Sequence, residues 1–474
     1  MANDVNAAIE AVQNKKLMEE LNLNFNELEV FKLERDIYKP TLYDVHKFLD
    51  ETVVGEYETR MSIFSTFILS KISTFVSGLS AGGKTTVLDA VCDTLMPGDS
   101  LIINAQSDKA IFEMEREIKE ATHITFLELN KVNPMIIEIV KSFAENKKYE
   151  YKRARIQGGN KTFILEPRAV AFTRADESAA QFPISDELMS RMVELCVDGS
   201  EEQTIDILNK KADVFSNPFE QTILNNIQRA NLKYHISNIP EYTHIINISA
   251  ASLIKFIPTT FVTSRRDFVK YINNIDGITR FHYKDRIDVN IQGVRVLFST
   301  PEDIFLNHLI FGENLIASAI RCSELEKNII SILPGNGANK SQIQSALRNH
   351  TINLTLTTVE THLKSLVDIG YLTVELQGRN NIYSVSDFYK SFDVQLDMQY
   401  IIDKTIENIK SASVYNDISD EYIDKFCNKD AMIIQHPFDA SKINMLDYEF
   451  NSVLVTNTDS QLEPTEDEIW SKYV

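Results

Sequence analysis

The 474-residue chain is sparing with cysteine and has no long apolar run, and each scarcity removes a class of protein. Its four cysteines, Cys92, Cys196, Cys322 and Cys427, stand far apart with no Cys-x-x-Cys pair and no paired histidine. That pattern argues against a zinc site or a disulfide framework and fits reduced packing residues. Hydrophobic residues make up 43% of the chain without a stretch of membrane-spanning length, so no membrane is expected as a partner. Met1-Ala2-Asn3-Asp4 lacks the basic and apolar regions of a signal peptide, and the expected location is intracellular, cytoplasmic or nucleoid-associated.

Basic residues are also in deficit, with a net charge of −20, which taken alone argues against nucleic acid. The excess is uneven: residues 391–474 hold 17 acidic and 6 basic side chains, or −11 of the total. The informative question is therefore where the cations cluster.

What is present begins with Gly78-Leu79-Ser80-Ala81-Gly82-Gly83-Lys84-Thr85, a match to G-x-x-x-x-G-K-[ST] at every fixed position. A strand-like run (Ile72, Thr74, Phe75, Val76) precedes it and a helical run from Thr86 follows, so backbone amides and a helix start converge on one point. The expected cofactors are ATP and Mg²⁺. Glycines let the backbone wrap phosphate oxygens, Lys84 supplies charge toward the β and γ phosphates, and the Thr85 hydroxyl is a candidate Mg²⁺ ligand. Residues 78–86, including Thr86, form the predicted nucleotide cradle.

Apolar segments then recur in α/β order. Strands are predicted at 100–104, 123–129, 168–173 and 193–197, with helices at 108–121 and 133–146 between them. Five strands alternating with helices give a parallel, three-layer α/β domain. Residues 202–229 and 261–286 read as helices of a lid. Residues 323–386 read as three helices and a hairpin, the order of a winged helix. The expected division is an acidic helical segment at 1–50, an ATPase core at 51–235, a helical lid at 236–322, a winged helix at 323–390 and an acidic, weakly periodic tail at 391–474. The tail ends in Glu463-Pro464-Thr465-Glu466-Asp467-Glu468-Ile469-Trp470, which suits a solvated tail or docking peptide.

Hydrolysis needs a carboxylate at a strand end, and Glu128 after Ile124-Thr125-Phe126-Leu127 is in position for it. A basic cluster lies between residues 147 and 161: Lys147, Lys148, Lys152, Arg153, Arg155 and Lys161, against Glu150, around a Gly158-Gly159-Asn160 turn. Cations on a hairpin suit sequence-independent phosphate contact, with Tyr149 or Tyr151 available for stacking. Lys152, Arg153, Arg155 and Lys161 are the predicted DNA contacts.

In these segments the chain resembles the helicase-type AAA+ ATPases, in particular the minichromosome maintenance (MCM) group and its relatives in mobile elements. Val54-Gly55-Glu56 resembles the lead-in to that motor, and Phe126 to Lys131 its Walker B strand. Arg168 to Ala175 resembles its sensor 1 strand, with Thr173 where the family has Asn. Glu187-Leu188-Met189-Ser190-Arg191, followed by an apolar strand and Asp198, is similar to its arginine-finger segment. Arg265 and Arg266 are similar to sensor 2 arginines, and the 147–161 hairpin to the family's pre-sensor 1 hairpin.

The resemblance implies an α/β fold with a P-loop AAA+ three-layer parallel-sheet ATPase core, a helical lid and a C-terminal winged helix. It further implies a homo-oligomeric ring that acts on single- or double-stranded DNA, catalytic roles for Lys84, Glu128, Thr173 and Arg191, and nucleotide contact by Arg265 and Arg266. Thr85 and Glu128 are the implied metal ligands. Leu127 stands where the family has the Walker B Asp, so magnesium ligand and catalytic base cannot both be assigned by analogy. Nothing N-terminal resembles the family's zinc-bearing collar.

Other readings remain open: an AAA+ loader or remodeller whose winged helix or acidic tail recruits a protein partner, a P-loop phosphotransferase, and a transcription regulator with a nucleotide sensor.

Overall fold

In the computed structural model the described residues are 2–78, 81–103, 110–127, 134–154, 160–175, 186–216, 225–257, 263–319, 324–349, 352, 354–390 and 395–450. Three helices lead in: α1 (Ala2–Leu21), α2 (Phe25–Glu34) and α3 (Leu42–Asp50). Capping boxes start the second and third, Asn24 with Glu27 and Thr41 with Asp44, each pair satisfying amides that a helix start leaves open. Helix α4 (Tyr57–Ile63) runs into a fully buried π-helical turn at Phe64–Leu69, which delivers the chain to the sheet.

The central motif alternates strands and helices: β1 (Thr74–Gly78), α5 (Lys84–Cys92), β2 (Ser100–Ile103), α6 (Ala110–Glu113), α7 (Glu115–Glu120), β3 (His123–Phe126), α8 (Pro134–Ala144), the hairpin β4 (Tyr149–Ala154) and β5 (Asn160–Leu165), β6 (Ala169–Ala175), α9 (Asp186–Met189) and β7 (Val193–Cys196). Five of these strands form one parallel sheet in the order β2-β3-β6-β1-β7. All five predicted sheet strands are there. Strand β1 lies inside the sheet and is buried along its whole length, which is why it reads as an apolar run rather than an alternating one.

Phe75, Ile124, Phe126, Val170 and Phe172 pack on one sheet face against Ile111, Phe112, Ile139 and Phe143 of the helices and Phe163 of the hairpin. The other face receives the π-helical turn: Thr66 Oγ1 lies 3.3 Å from Thr74 Oγ1, and His123 Nε2 lies 3.2 Å from the Ile68 carbonyl oxygen.

Beyond the sheet come α10 (Glu201–Ser216), α11 (Asn226–Ser237), β8 (His244–Ile246), α12 (Ala250–Leu253), α13 (Ser264–Phe281), β9 (Asp288–Ile291), β10 (Val294–Phe298) and α14 (Pro301–Ala319). The segment expected as a helical lid therefore also carries a sheet, β8-β10-β9. Its hairpin turn is built on Gln292 and Gly293, both at positive φ, as a two-residue connection requires. Among the described residues no helix is long and apolar enough to cross a membrane.

The chain divides into two compact units: residues 1–254, 265–314 and 397–448 form one, and 255–264, 315–396 and 449–474 the other. The second unit contains α15 (Glu324–Ser331), β11 (Ala338–Asn339), α16 (Lys340–Asn349), α17 (Leu356–Ile369), β12 (Leu372–Gln377), β13 (Asn380–Val385) and α18 (Asp387–Lys390). Its helices and the β11-β13-β12 sheet enclose their own core around Ile329, Leu347, Leu363 and Tyr371.

The tail predicted at 391–474 needs correction over most of its length. Residues 397–448 belong to the first unit and contain α19 (Met398–Ser411), α20 (Ser419–Phe426), β14 (Ile433–Gln435) and β15 (Lys442–Asn444). Ile409, Tyr422 and Phe426 pack on Ile287, Val296 and Phe298, and the Tyr422 hydroxyl donates to the Ser299 carbonyl at 2.7 Å. Acidic residues face outward while a helical apolar stripe is buried, a pattern that net charge conceals. Residues 451–474, with the 463–470 peptide, lie outside the described residues.

Candidate functional site

The glycine-rich loop occupies the C-terminal edge of the parallel sheet, where β1 gives way to α5. This is the edge at which α/β sheets bind ligands. Gly78 has φ +146°, and a Cβ there would overlap Val197 Cγ2, so only glycine allows the turn. Ala81 and Gly83 are also left-handed, at φ 64° and 85°, and Gly83 caps α5. Lys84, 9% exposed, folds back over the loop and donates from Nζ to the Gly78 carbonyl at 2.9 Å. Thr85 and Thr86 are exposed at the helix start. An ammonium, helix-start amides and two exposed hydroxyls at the start of α5 make up the kind of donor set a polyphosphate needs. Leu79 and Ser80 lie outside the described residues.

Neighbouring strands complete this edge. Thr173 of β6 is buried and in register with Val76, two residues before the loop. Strand β3 runs parallel to β6 with Phe126 beside Phe172, and the Leu127 amide donates to the Ile103 carbonyl at 3.0 Å. Glu128, the next residue, lies outside the described residues. Beyond β7 the Asp198 amide donates to Glu56 Oε1 at 2.7 Å, and Gln203 Nε2 donates to the Val54 carbonyl at 2.7 Å. The Val54-Gly55-Glu56 segment thus borders the same edge. Burial pushes the Glu56 carboxyl up to about 7, against the opposing pull of the Asp198 amide and the Thr59 hydroxyl.

Arg191 lies at the other end of the sheet. It precedes β7, whose first amide, Val193, donates to the Ser73 carbonyl at 3.0 Å. From Thr74 to Gly78 the strand rises about 13 Å at ~3.3 Å per residue, which separates Arg191 from its own chain's loop. Its side chain is 14% exposed, with Nη2 2.8 Å from both Glu145 Oε1 and Glu187 Oε1, while its buried Nε has no partner among the described residues. Nearby cations hold both carboxyls below the usual range, Lys147 acting first on Glu145 and Lys141 first on Glu187.

Arg265 and Arg266, expected to contact nucleotide, stand beside Arg191. Arg266 bonds the Ser190 hydroxyl, and Lys270, one turn further along α13, donates to the Met192 carbonyl at 2.8 Å. The start of α13 thus docks on the segment before β7, at the sheet edge opposite the glycine-rich loop. Arg191, Arg265 and Arg266 line a cavity of about 760 Å³ with Lys71, Arg168 and Glu145.

The basic hairpin forms as predicted: β4 and β5 pair from Tyr149–Leu165 to Ala154–Asn160. Its tyrosines do not serve as an exposed stacking platform. Tyr151 stacks on Phe112 at 4.3 Å between ring centroids, and Tyr149 stacks on the same ring at 6.4 Å, because alternation turns both toward the core. Lys147 and Lys148 are engaged by Glu145 and Glu166. Lys152 is exposed, Arg153 pairs with Lys161 in the ladder, and Arg155 lies outside the described residues.

Sequence reading missed Glu145 as a partner of Arg191, since 46 residues separate them. Glu187 was within reach: a glutamate four residues before an arginine on a helical turn faces it.

No protein-family model and no curated protein matches the chain. Solved structures similar to it include a proposed ATPase from Cytophaga hutchinsonii, at TM-score 0.34 and 13% identity, covering 64% of this chain and 89% of that one. A full-length MCM homologue from Methanopyrus kandleri has TM-score 0.38 and 11% identity, covering 63% of each chain. NtrX from Brucella abortus, in complex with ADP, has TM-score 0.27 and 16% identity, covering 45% of this chain and 56% of that one.

Proposed function

We propose that the chain is a ring-forming, MCM-like AAA+ ATPase that couples ATP hydrolysis to movement on DNA. The observation that carries this reading is the separation of two cationic sites along one sheet. The phosphate loop is at the C-terminal edge and Arg191, with Arg265 and Arg266, at the N-terminal edge. Neither edge holds both sets in one chain, whereas stacking copies head to tail brings the loop of one against the arginines of the next.

In that arrangement Lys84 holds the β and γ phosphates, and Thr85 with Glu128 would hold Mg²⁺, which neutralises phosphate charge. Glu128 serves there either as that ligand or as the base that polarises the attacking water, Thr173 orients the γ phosphate, and the neighbour's Arg191 stabilises charge that grows during transfer. Lys152, Arg153, Arg155 and Lys161 contact the DNA backbone.

Complementation tests this. A Lys84→Ala chain lacks its own site's lysine, while an Arg191→Ala chain deprives its neighbour. Each should be inactive alone, and mixing them under exchange conditions should restore part of the DNA-stimulated ATPase. If the mixture stays inactive, or Arg191→Ala alone hydrolyses normally, the ring reading is wrong.

A second reading, a loader or remodeller that unwinds nothing, is supported by the second unit. Residues 324–390 hold six acidic and six basic side chains, and Glu360 on α17 pairs with both Lys340 and Lys364. Such a surface suits a protein partner better than a phosphate backbone. ATP-driven strand displacement separates the two readings.

A further inference from the structure

Arg191 is held by carboxylates that each have another cation at hand. Glu145 lies 2.8 Å from Arg191 and 2.7 Å from Lys147; Glu187 lies 2.8 Å from Arg191 and 3.3 Å from Lys141. The chain of charges alternates Lys147, Glu145, Arg191, Glu187, Lys141. Withdrawing the guanidinium leaves each carboxylate with a nearby cation, and both carboxylates also reach water, so the exchange costs little. While the contacts persist, both carboxylates sit on one guanidinium nitrogen and cancel the charge that a γ phosphate would meet.

Glu145 also connects this cluster to the hairpin. It directly follows α8, Asn146 turns the chain at φ 55°, and β4 starts at Tyr149. Glu145 and Asn146 line the 760 Å³ cavity together with Arg191, Arg265 and Arg266. A polyphosphate entering there competes with Glu145 for Arg191, and a hairpin displaced by a bound strand carries Glu145 with it.

We propose that Glu145 and Glu187 are positioning residues that latch Arg191 away from the neighbouring site, and that movement of the hairpin releases it through Glu145. The proposal rests on the reading of Arg191 as a group acting on the adjacent subunit.

The test compares ATPase kinetics of the full chain with and without single-stranded DNA for wild type, Glu145→Gln, Glu145→Asp, Glu187→Gln and Arg191→Ala. Glu145→Gln keeps the shape but loses the charge. It should raise the DNA-free kcat about two- to fivefold, the scale on which one ion pair of this exposure acts. KM for ATP should fall by no more than a similar factor, because the freed Arg191 meets the neighbour's nucleotide while each chain's own loop is untouched, and the ratio of DNA-stimulated to DNA-free rate should shrink. Glu187→Gln should raise the DNA-free rate in the same direction, and Glu145→Asp should restore wild-type behaviour. An unchanged or lower kcat in Glu145→Gln, with Arg191→Ala inactive, overturns the latch while leaving the ring reading intact. Normal hydrolysis by Arg191→Ala overturns both.

Discussion

Arg153 stands opposite Lys161 in the antiparallel ladder of the β4–β5 hairpin. Like charges in directly opposed positions destabilise a ladder, since the facing Cβ atoms are only about 5 Å apart. A phosphate backbone bound there, as proposed above, would be shared by such opposed cations. Replacing Lys152, Arg153, Arg155 and Lys161 with alanine should therefore weaken DNA binding and lower the slope of log K against log salt by about 0.7–0.9 per phosphate contact removed. The hairpin should stay folded, because Tyr149, Tyr151 and Phe163 anchor its base on Phe112. Unchanged salt slopes would contradict the assignment.

Gly78→Ala should be more damaging than Gly83→Ala. Both positions have positive φ, but a Cβ at Gly78 also meets Val197, whereas none of the described residues lies within 4 Å of one at Gly83. The first substitution should cost more than ~1 kcal/mol and abolish ATP-induced thermal stabilisation; the second should show mainly the backbone penalty of about 1 kcal/mol. Thermal melts with and without ATP measure both, and equal losses would show that Val197 does not constrain the loop.

Lys84→Ala should leave the melting temperature of the unliganded chain nearly unchanged, because Lys84 lines the loop rather than the apolar core. The ATP-dependent rise in melting temperature should fall toward zero, since ligand stabilisation scales with affinity. A normal ATP shift in this variant would refute the phosphate-loop assignment.

Deleting residues 397–450 should unfold or precipitate the chain, despite their acidity. Ile409 is fully buried against β10 and its neighbours, and Ile409→Ala alone should cost about 2–5 kcal/mol. Tyr422→Phe, which removes the donor to Ser299, should cost about 1 kcal/mol. Denaturant melts reporting wild-type stability for the deletion would show that this segment is dispensable.

Stability should rise with pH between about 4 and 6.5. Burial lowers His46, His123, His235 and His308 to about 4, so over this range the unfolded chain binds more protons than the folded one. Their contribution is complete above the unfolded value near 6.5 and is lost as pH falls through 4. The buried carboxyls Glu56 and Asp276, raised to about 7, act oppositely and blunt the slope, but they are two against four. Melting temperatures recorded from pH 4 to pH 7 should climb; a flat or falling profile would show that the histidines do not dominate.

The glycine-rich loop between β1 and α5 was legible in the sequence because its signal is local: eight consecutive residues between a strand and a helix supply turn, charge and hydroxyl. The five sheet strands were legible for a similar reason, as were α15 to α17 and the basic hairpin, since periods of 2 and 3.6 are written in neighbouring side chains. Strand order is not local. Only pairing between β1, β6 and β7 put Arg191, Arg265 and Arg266 at the edge away from Gly78, and only packing joined Glu145 to Arg191. In the sequence Tyr149 and Tyr151 are available aromatics, but in the fold both stack on Phe112, and the acidity of residues 397–448 does not record which side of α19 and α20 is apolar. Composition and spacing determined which groups this protein possesses. Long-range burial, which rewards contacts regardless of chain separation, decided which of them meet.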